Sequence, residues 1–352
     1  MVKTLAALAA AVAALTAASP GPKQNTDPML PISAQLAATR GKLVDNFRAI
    51  DTRSGLAVAL EARLDGDAPG IGLSEKPDWM RTSDYIDYMT YLARLEASLI
   101  DQYASGVYHP LGSVRGADDT VFKSPADGTM QPLAVYVPKS YDPQKAASLV
   151  VFLHGRTWSE NDLIAQPWVR AAADSTNSII IAPYARGDSQ YVDPASVEVY
   201  AALDLAKKTF NIDPRRIYLA GHSMGGYGVF IVGPKHPENW AAVLAASGGM
   251  TTETSAAALK GLQGVPVYLV VGSNDPIVPK GYMNQNVDLL TRSGIETHFY
   301  EEPGGLHSIG TISNAFDRAW HDMLARTLRT RTTSIDRPVM PPSPSMTPNT
   351  RP

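Results

Sequence analysis

The stretch Arg216-Ile217-Tyr218-Leu219-Ala220-Gly221-His222-Ser223-Met224-Gly225 decides the fold: an apolar strand runs without a break into a serine flanked by glycines. From Gly225 a helix-like run continues to Val232. Gly221 to Gly225 fit G-x-S-x-G, and that spacing has a steric origin. A serine at a tight strand-to-helix turn holds a strained backbone, so the residues two positions to either side must lack bulk. Such a turn lifts the Ser223 hydroxyl above the sheet edge. The helix N-terminus then aims its amide dipoles at any anion that forms there. Ser223 is the candidate nucleophile.

Outward from this turn, short β-branched runs lie at 132–137, 148–153, 178–182, 216–220, 241–246, 266–272 and 297–300. Helical stretches separate them, as at 194–210, where Val199, Leu203, Ala206 and Phe210 share one face. Near-continuous apolar strands alternating with helices predict the α/β class: a mostly parallel sheet covered by helices on both faces. The catalytic domain is expected over 107–330.

A serine hydroxyl is a weak nucleophile until a base takes its proton and a carboxylate orients that base. On an elbow of this kind the acid follows the serine in the chain, and the histidine follows the acid. The strand at 266–272 opens into Ser273-Asn274-Asp275-Pro276, which makes Asp275 the candidate acid. The strand at 297–300 leads through Glu301-Glu302-Pro303-Gly304-Gly305-Leu306 to His307, the candidate base. Glu301 and Glu302 are the rival acids, and an Asp-Pro turn initiator is the alternative reading of Asp275. The strand at 148–153 ends in His154-Gly155-Arg156, where a glycine lets the backbone approach a substrate carbonyl. The amides of Met224 and Arg156 are the expected oxyanion donors, with Thr157 as the substitute for Arg156. His154 is expected to hold its loop rather than to react. Trp158 and Trp168 are the candidate substrate-pocket residues, Trp240 could join them in lining a pocket for an aromatic or sugar-linked acyl group, and core packing is the alternative for all three.

Composition narrows the partners. A chain of 352 residues, 44% of them hydrophobic, has enough apolar surface for a large packed core. With 31 basic against 34 acidic residues and no dense Lys/Arg run, nucleic acid is not an expected partner. Without cysteine there are no disulfides, no thiolate catalysis and no cysteine metal site. Met1-Val2-Lys3 followed by the uncharged, Ala-rich run 4–18 reads as a signal peptide over 1–18. The expected location is therefore secreted or periplasmic. No segment is long and apolar enough to predict stable membrane insertion. Residues 19–30 read as a linker, and 31–106 as a helical accessory region with shorter helices at 32–50 and 54–64. The helical period is clearest at 83–103, where Tyr88, Leu92, Leu95 and Leu99 recur and Ser83 is the expected N-cap. The proline-rich tail 337–352 is expected to be disordered.

The stretches VVFLHGR (150–156), NIDPRRIYLAGHSMGGYGVF (211–230), VVGSNDPIVP (270–279) and GGLHS (304–308) together resemble a known group. It is the secreted α/β-hydrolases of the feruloyl-esterase and polyhydroxybutyrate-depolymerase-like type, which grade into prolyl-oligopeptidase-like peptidases. The resemblance covers about 130 to 328 and leaves 31–106 outside it. It implies an α/β-hydrolase fold, a Ser223–Asp275–His307 triad, no metal and no organic cofactor. The expected activity is hydrolysis of a small-molecule or polymer-linked carboxylic ester through an acyl-enzyme. An exported serine peptidase is the alternative, and a non-catalytic binding protein on a hydrolase scaffold the third. Two features depart from the group: neither a disulfide nor a separate polymer-binding module is apparent in the sequence, and the helical residues 31–106 are too few for a β-propeller. The sequence does not set an oligomeric state.

Overall fold

The computed structural model describes residues 27–50, 55–65 and 76–328. The expected signal peptide, most of the expected linker and the proline-rich tail lie outside the described residues. The strands are β1 (Gly116–Lys123), β2 (Met130–Val137), β3 (Ala147–Leu153), β4 (Ser178–Pro183), β5 (Ile212–His222), β6 (Ala242–Ala246), β7 (Val267–Gly272) and β8 (Thr297–Glu302). They form one sheet in the order β1-β2-β4-β3-β5-β6-β7-β8. β2 pairs antiparallel with β1 and β4, and from β4 to β8 every pairing is parallel.

The α-helices are α1 (Met29–Asn46), α2 (Leu56–Asp65), α3 (Thr82–Ser105), α4 (Glu160–Ala165), α5 (Pro167–Thr176), α6 (Ala195–Thr209), α7 (Met224–Val232), α8 (Thr252–Gly261), α9 (Lys280–Arg292) and α10 (Ser313–Leu324). Every residue of β3, β4, β6 and β7 is buried, as a parallel sheet covered on both faces requires. The pleat divides each strand between two cores: Leu149, Val151, Leu219 and Leu269 face one, while Val150, Phe152, Ala220 and Val270 face the other.

Two expectations need correction. β1 has no counterpart in the sequence reading, because its Asp118-Asp119 pair breaks the apolar pattern. Tertiary contacts compensate: Asp119 is buried and accepts from the Ser98 hydroxyl at 2.6 Å and the Gln102 amide at 2.7 Å. Ser83 is not the N-cap of α3. The chain enters this helix in extended conformation at Arg81, whose guanidinium pairs with Asp84 at 2.8 Å, and Ser83 already lies inside the first turn. Tyr88, Leu92, Leu95 and Leu99 are buried as their spacing predicts.

A buried polar network joins the helical region to the sheet domain. Arg63 of α2 donates to both carboxylate oxygens of Glu160, at 3.1 and 3.0 Å, and lies 3.4 Å from Glu96 of α3. Asn161 donates to Glu96 at 3.3 Å, and the Tyr88 hydroxyl donates to Asp162 at 2.6 Å. Asp162 in turn closes a capping box with Ser159 at the start of α4. Burial pulls the Arg63 guanidinium down, but the charges of Glu160 and Glu96 outweigh it and keep the cation in place. Burial also pushes the Glu96 carboxyl up to about 7, against the pull of Arg63.

Removing the cation leaves the carboxylates buried and unpaired, which costs about 3–5 kcal/mol. Arg63→Met is therefore expected to lower the urea midpoint sharply; an unchanged midpoint would show that the network contributes nothing net. Between the ordinary carboxyl value of 4.5 and about 7, the unfolded chain has released the Glu96 proton and the folded chain has kept it. The unfolded state binds fewer protons there, so this group makes stability fall as pH rises through that window. Glu96→Gln is neutral at every pH and is expected to flatten that slope in urea titrations across the same range. A slope equal to the wild type's would assign it to other groups.

Candidate active site

Ser223 sits between the end of β5 and the start of α7 with φ 53° and ψ −118°, a conformation that L-residues rarely hold. The two motif glycines permit it. A Cβ at Gly221 would lie 2.1 Å from the Gly225 carbonyl oxygen, and one at Gly225 would lie 2.1 Å from that of Leu153. Helix, turn and the end of β3 are thus in backbone contact. The Ser223 amide donates to the Ala246 carbonyl at 2.9 Å, which ties the turn to β6 as well.

His307 and Asp275 arrive from the neighbouring strand ends. His307 Nε2 is 2.8 Å from Ser223 Oγ, and its Nδ1 is 2.9 Å from Asp275 Oδ2 and 3.1 Å from Oδ1. Asp275 also accepts from the amides of Ile277 at 2.9 Å and Val278 at 2.8 Å, so the Asp-Pro turn and the acid are one feature. Burial pushes the Asp275 carboxyl up, but the His307 hydrogen bond and the Val278 and Ile277 amides outweigh it and hold the group below the ordinary carboxylate range. A carboxylate that favours its ionised form at Nδ1 keeps the imidazole proton on that nitrogen and leaves Nε2 free to accept from the serine. The rival acids are engaged elsewhere: Glu301 pairs with Lys280 at 2.6 Å, and Glu302 accepts from Asn314 and the Ala315 amide.

A residue not expected from the sequence holds the candidate base. His222 is buried against Trp158 and His307, with ring centroids 5.8 and 5.2 Å away. Burial pulls its imidazole down to about 4, against the hydrogen bond with the His307 carbonyl, so the ring is neutral at neutral pH. Its Nε2 lies 2.8 Å from that carbonyl oxygen and donates to it, fixing the backbone that carries the base. Its position inside the motif was the available signal, masked because the middle residues of G-x-S-x-G are free to vary sterically.

The loop after β3 faces Ser223 from the other side, and a Cβ on Gly155 would lie 3.5 Å from Ser223 Cβ. Met224 opens α7, so its amide is one of the donors a helix start leaves without an intrahelical acceptor. The Thr157 amide is already taken, donating to Asp188 Oδ1 at 2.7 Å, which removes Thr157 as the substitute for Arg156. His154 is fully buried with Nε2 3.0 Å from the Tyr184 carbonyl and Nδ1 2.9 Å from that of Gly155, a loop-holding position as expected. A cavity of about 450 Å³ opens over Ser223, walled by Trp158, His222, Ile277, Ser308 and the 155–157 loop. Trp168 does not reach it: its ring packs on Phe152 and Phe316 at 5.8 and 5.3 Å and borders a separate cavity beside Ile309. Trp240 is fully buried beneath Tyr200, since its place just before β6 sends it into the core. Among the described residues, His109, Asp118 and Asp119 have metal-ligand spacing, but they belong to β1 and its approach, away from Ser223.

Residues 124–293 match a family described as "Putative esterase". The chain is similar to a bifunctional acetylxylan esterase/xylanase of Neocallimastix patriciarum, 27% identical over 155 residues, covering 43% of this chain and 22% of that protein. It is also similar to S-formylglutathione hydrolase of Mus musculus, 29% identical over 140 residues, covering 32% of this chain and 49% of that one. The chain thus spans half or less of the length of these curated relatives. Among solved structures, a ferulic acid esterase of the anaerobic fungus Anaeromyces mucronatus superposes with TM-score 0.50 at 18% identity, covering 61% of this chain and 92% of that one, which is a likeness of fold. With its mostly parallel eight-stranded sheet the chain has the α/β-hydrolase fold, and its residues 124–293 are similar to the esterase group.

Proposed function

We propose that this chain hydrolyses carboxylic esters with Ser223 as nucleophile, His307 as general base and Asp275 as its orienting acid. The observation that carries the reading is the 2.8 Å approach of His307 Nε2 to Ser223 Oγ on a strained elbow. His307 takes the hydroxyl proton as Ser223 Oγ attacks the ester carbonyl. The amides of Met224 and Arg156 then stabilise the tetrahedral oxyanion, a donor pair in which each amide is worth about 3 kcal/mol in the transition state. Collapse expels the alcohol, protonated by His307, and leaves an acyl-enzyme on Ser223. Water, deprotonated by the same imidazole, attacks the acyl carbonyl, and collapse releases the acid as His307 returns the proton to Ser223 Oγ.

The cavity is modest in size and has one aromatic wall, Trp158, facing the neutral ring of His222. This suits a small or planar acyl group, and the relatives named as acetylxylan and ferulic acid esterases point the same way. We also propose export, on the strength of the Lys3-led apolar run over 4–18.

Three substrates separate the readings: an aryl acetate, a methyl hydroxycinnamate and an aminoacyl anilide. Ester turnover that Ser223→Ala lowers on the order of 10⁶-fold, with the anilide inert, is the expected result. Preferential anilide cleavage would make the chain a peptidase, and a Ser223→Ala rate near wild type would remove Ser223 as nucleophile. Asp275→Asn presents a donor to Nδ1, so the ring is held in the wrong tautomer and kcat is expected to fall about 10⁴-fold. A fall of less than tenfold would mean that the His307 ring is oriented by something other than Asp275.

A further inference from the structure

We propose that Asp188 is a positioning residue for the anion-binding loop, holding the 155–158 turn so that the Arg156 amide faces Ser223. This inference rests on the catalytic reading of the preceding section. Gly155 to Trp158 form a four-residue turn closed by the Trp158 amide on the Gly155 carbonyl at 3.2 Å. Its third residue is Thr157, with φ 66°. A positive φ at that position belongs to a turn in which glycine or asparagine is usual, and a β-branched residue is strained there. Some interaction must hold the peptide between Arg156 and Thr157 in this orientation.

That interaction is the hydrogen bond from the Thr157 amide to Asp188 Oδ1 at 2.7 Å. A bond from an amide to a carboxylate is among the stronger neutral-to-charged hydrogen bonds. Without it, the 156–157 peptide is free to rotate towards negative φ at Thr157, which changes the backbone dihedrals on both sides. The Arg156 N–H lies in the adjoining 155–156 peptide, joined to it through the Arg156 Cα, and would turn with the loop.

The segment that presents Asp188 is itself rigidly held. Ala185, Arg186, Gln190 and Tyr191 all have positive φ within seven residues, a concentration of strain of the kind that marks functional sites. The Arg186 guanidinium pairs with Glu198 at 2.6 Å and Asp127 at 2.7 Å. Tyr191 is fully buried, and its hydroxyl donates to the His154 carbonyl at 3.0 Å. The 184–191 segment therefore grips the anion-binding loop at both ends, through Tyr191 before the turn and through Asp188 at its third residue.

What the turn needs from Asp188 is an acceptor oxygen and not its charge. Asparagine keeps the oxygen and drops the charge, whereas alanine removes both. Asp188→Ala is expected to lower kcat for an aryl acetate on the order of 10²-fold, as a misplaced catalytic group does, with KM little changed. Its affinity for an aryl trifluoromethyl ketone, which forms an anionic adduct on Ser223, should fall by the same factor. Asp188→Asn should restore both, and thermal melting should barely move in either variant. Wild-type kcat in Asp188→Ala, or an Asp188→Asn loss as large as alanine's, would overturn the assignment. Labelling of Ser223 by a fluorophosphonate, which also fills the anion site, distinguishes the two failures. If the wild type labels and Asp188→Ala labels equally fast, only the positioning role falls; if the wild type neither labels nor turns over esters, the catalytic reading falls and takes this one with it.

Discussion

The contact on which the rest depends is between two backbones. Gly225, at the start of α7, lies so close to the Leu153 carbonyl at the end of β3 that no side chain fits between them. Because β5 is flanked by β3 and β6, this contact fixes the height of Ser223 against both neighbouring strand ends. The loop leaving β3 is thereby placed beside the serine, and the Ala246 carbonyl of β6 receives the serine amide. β7 and β8 lie next in the same parallel series and deliver Asp275 and His307 to the same edge of the sheet. One steric restriction, repeated along a parallel sheet, assembles a site from four separate segments.

Electrostatic division of labour follows from where each group is buried. His222 and His307 are close neighbours, yet only His307 has a carboxylate against its Nδ1. His222 faces a carbonyl with one nitrogen and no partner with the other, so desolvation dominates and it stays neutral. Asp275 is equally enclosed, but three hydrogen bonds to its ionised form reverse the effect of burial. The same physical cost, removal from water, produces an uncharged donor in one case and a stable anion in the other.

The helical region is bound to the sheet domain by charge as well as by apolar packing. Arg63, Glu96, Glu160 and Asp162 are all buried, and the last two belong to α4, the helix entered directly after the loop that leaves β3. Buried ion pairs add little net stability but penalise wrong arrangements heavily. A network of this kind fixes α4 in one place, and with it the exit of the loop that begins at His154.

The amino-acid order alone made legible the strand–turn–helix with Ser223 and six of the seven predicted strands to within about two residues, β5 alone starting earlier, at Ile212. These are legible because they obey local rules: strand burial writes apolar runs, and a tight turn demands glycine at fixed offsets. Features whose cause lies far along the chain were settled by the closed backbone instead. β1 is a strand because Ser98 and Gln102 satisfy Asp119. Trp158 faces the cavity and Trp168 the core because the two lie on either side of the short helix α4. The Thr157 amide is engaged by a carboxylate 31 positions away. Local propensity carries no record of such partners; they are chosen when the backbone is closed on itself and each buried polar group must find an acceptor or a donor.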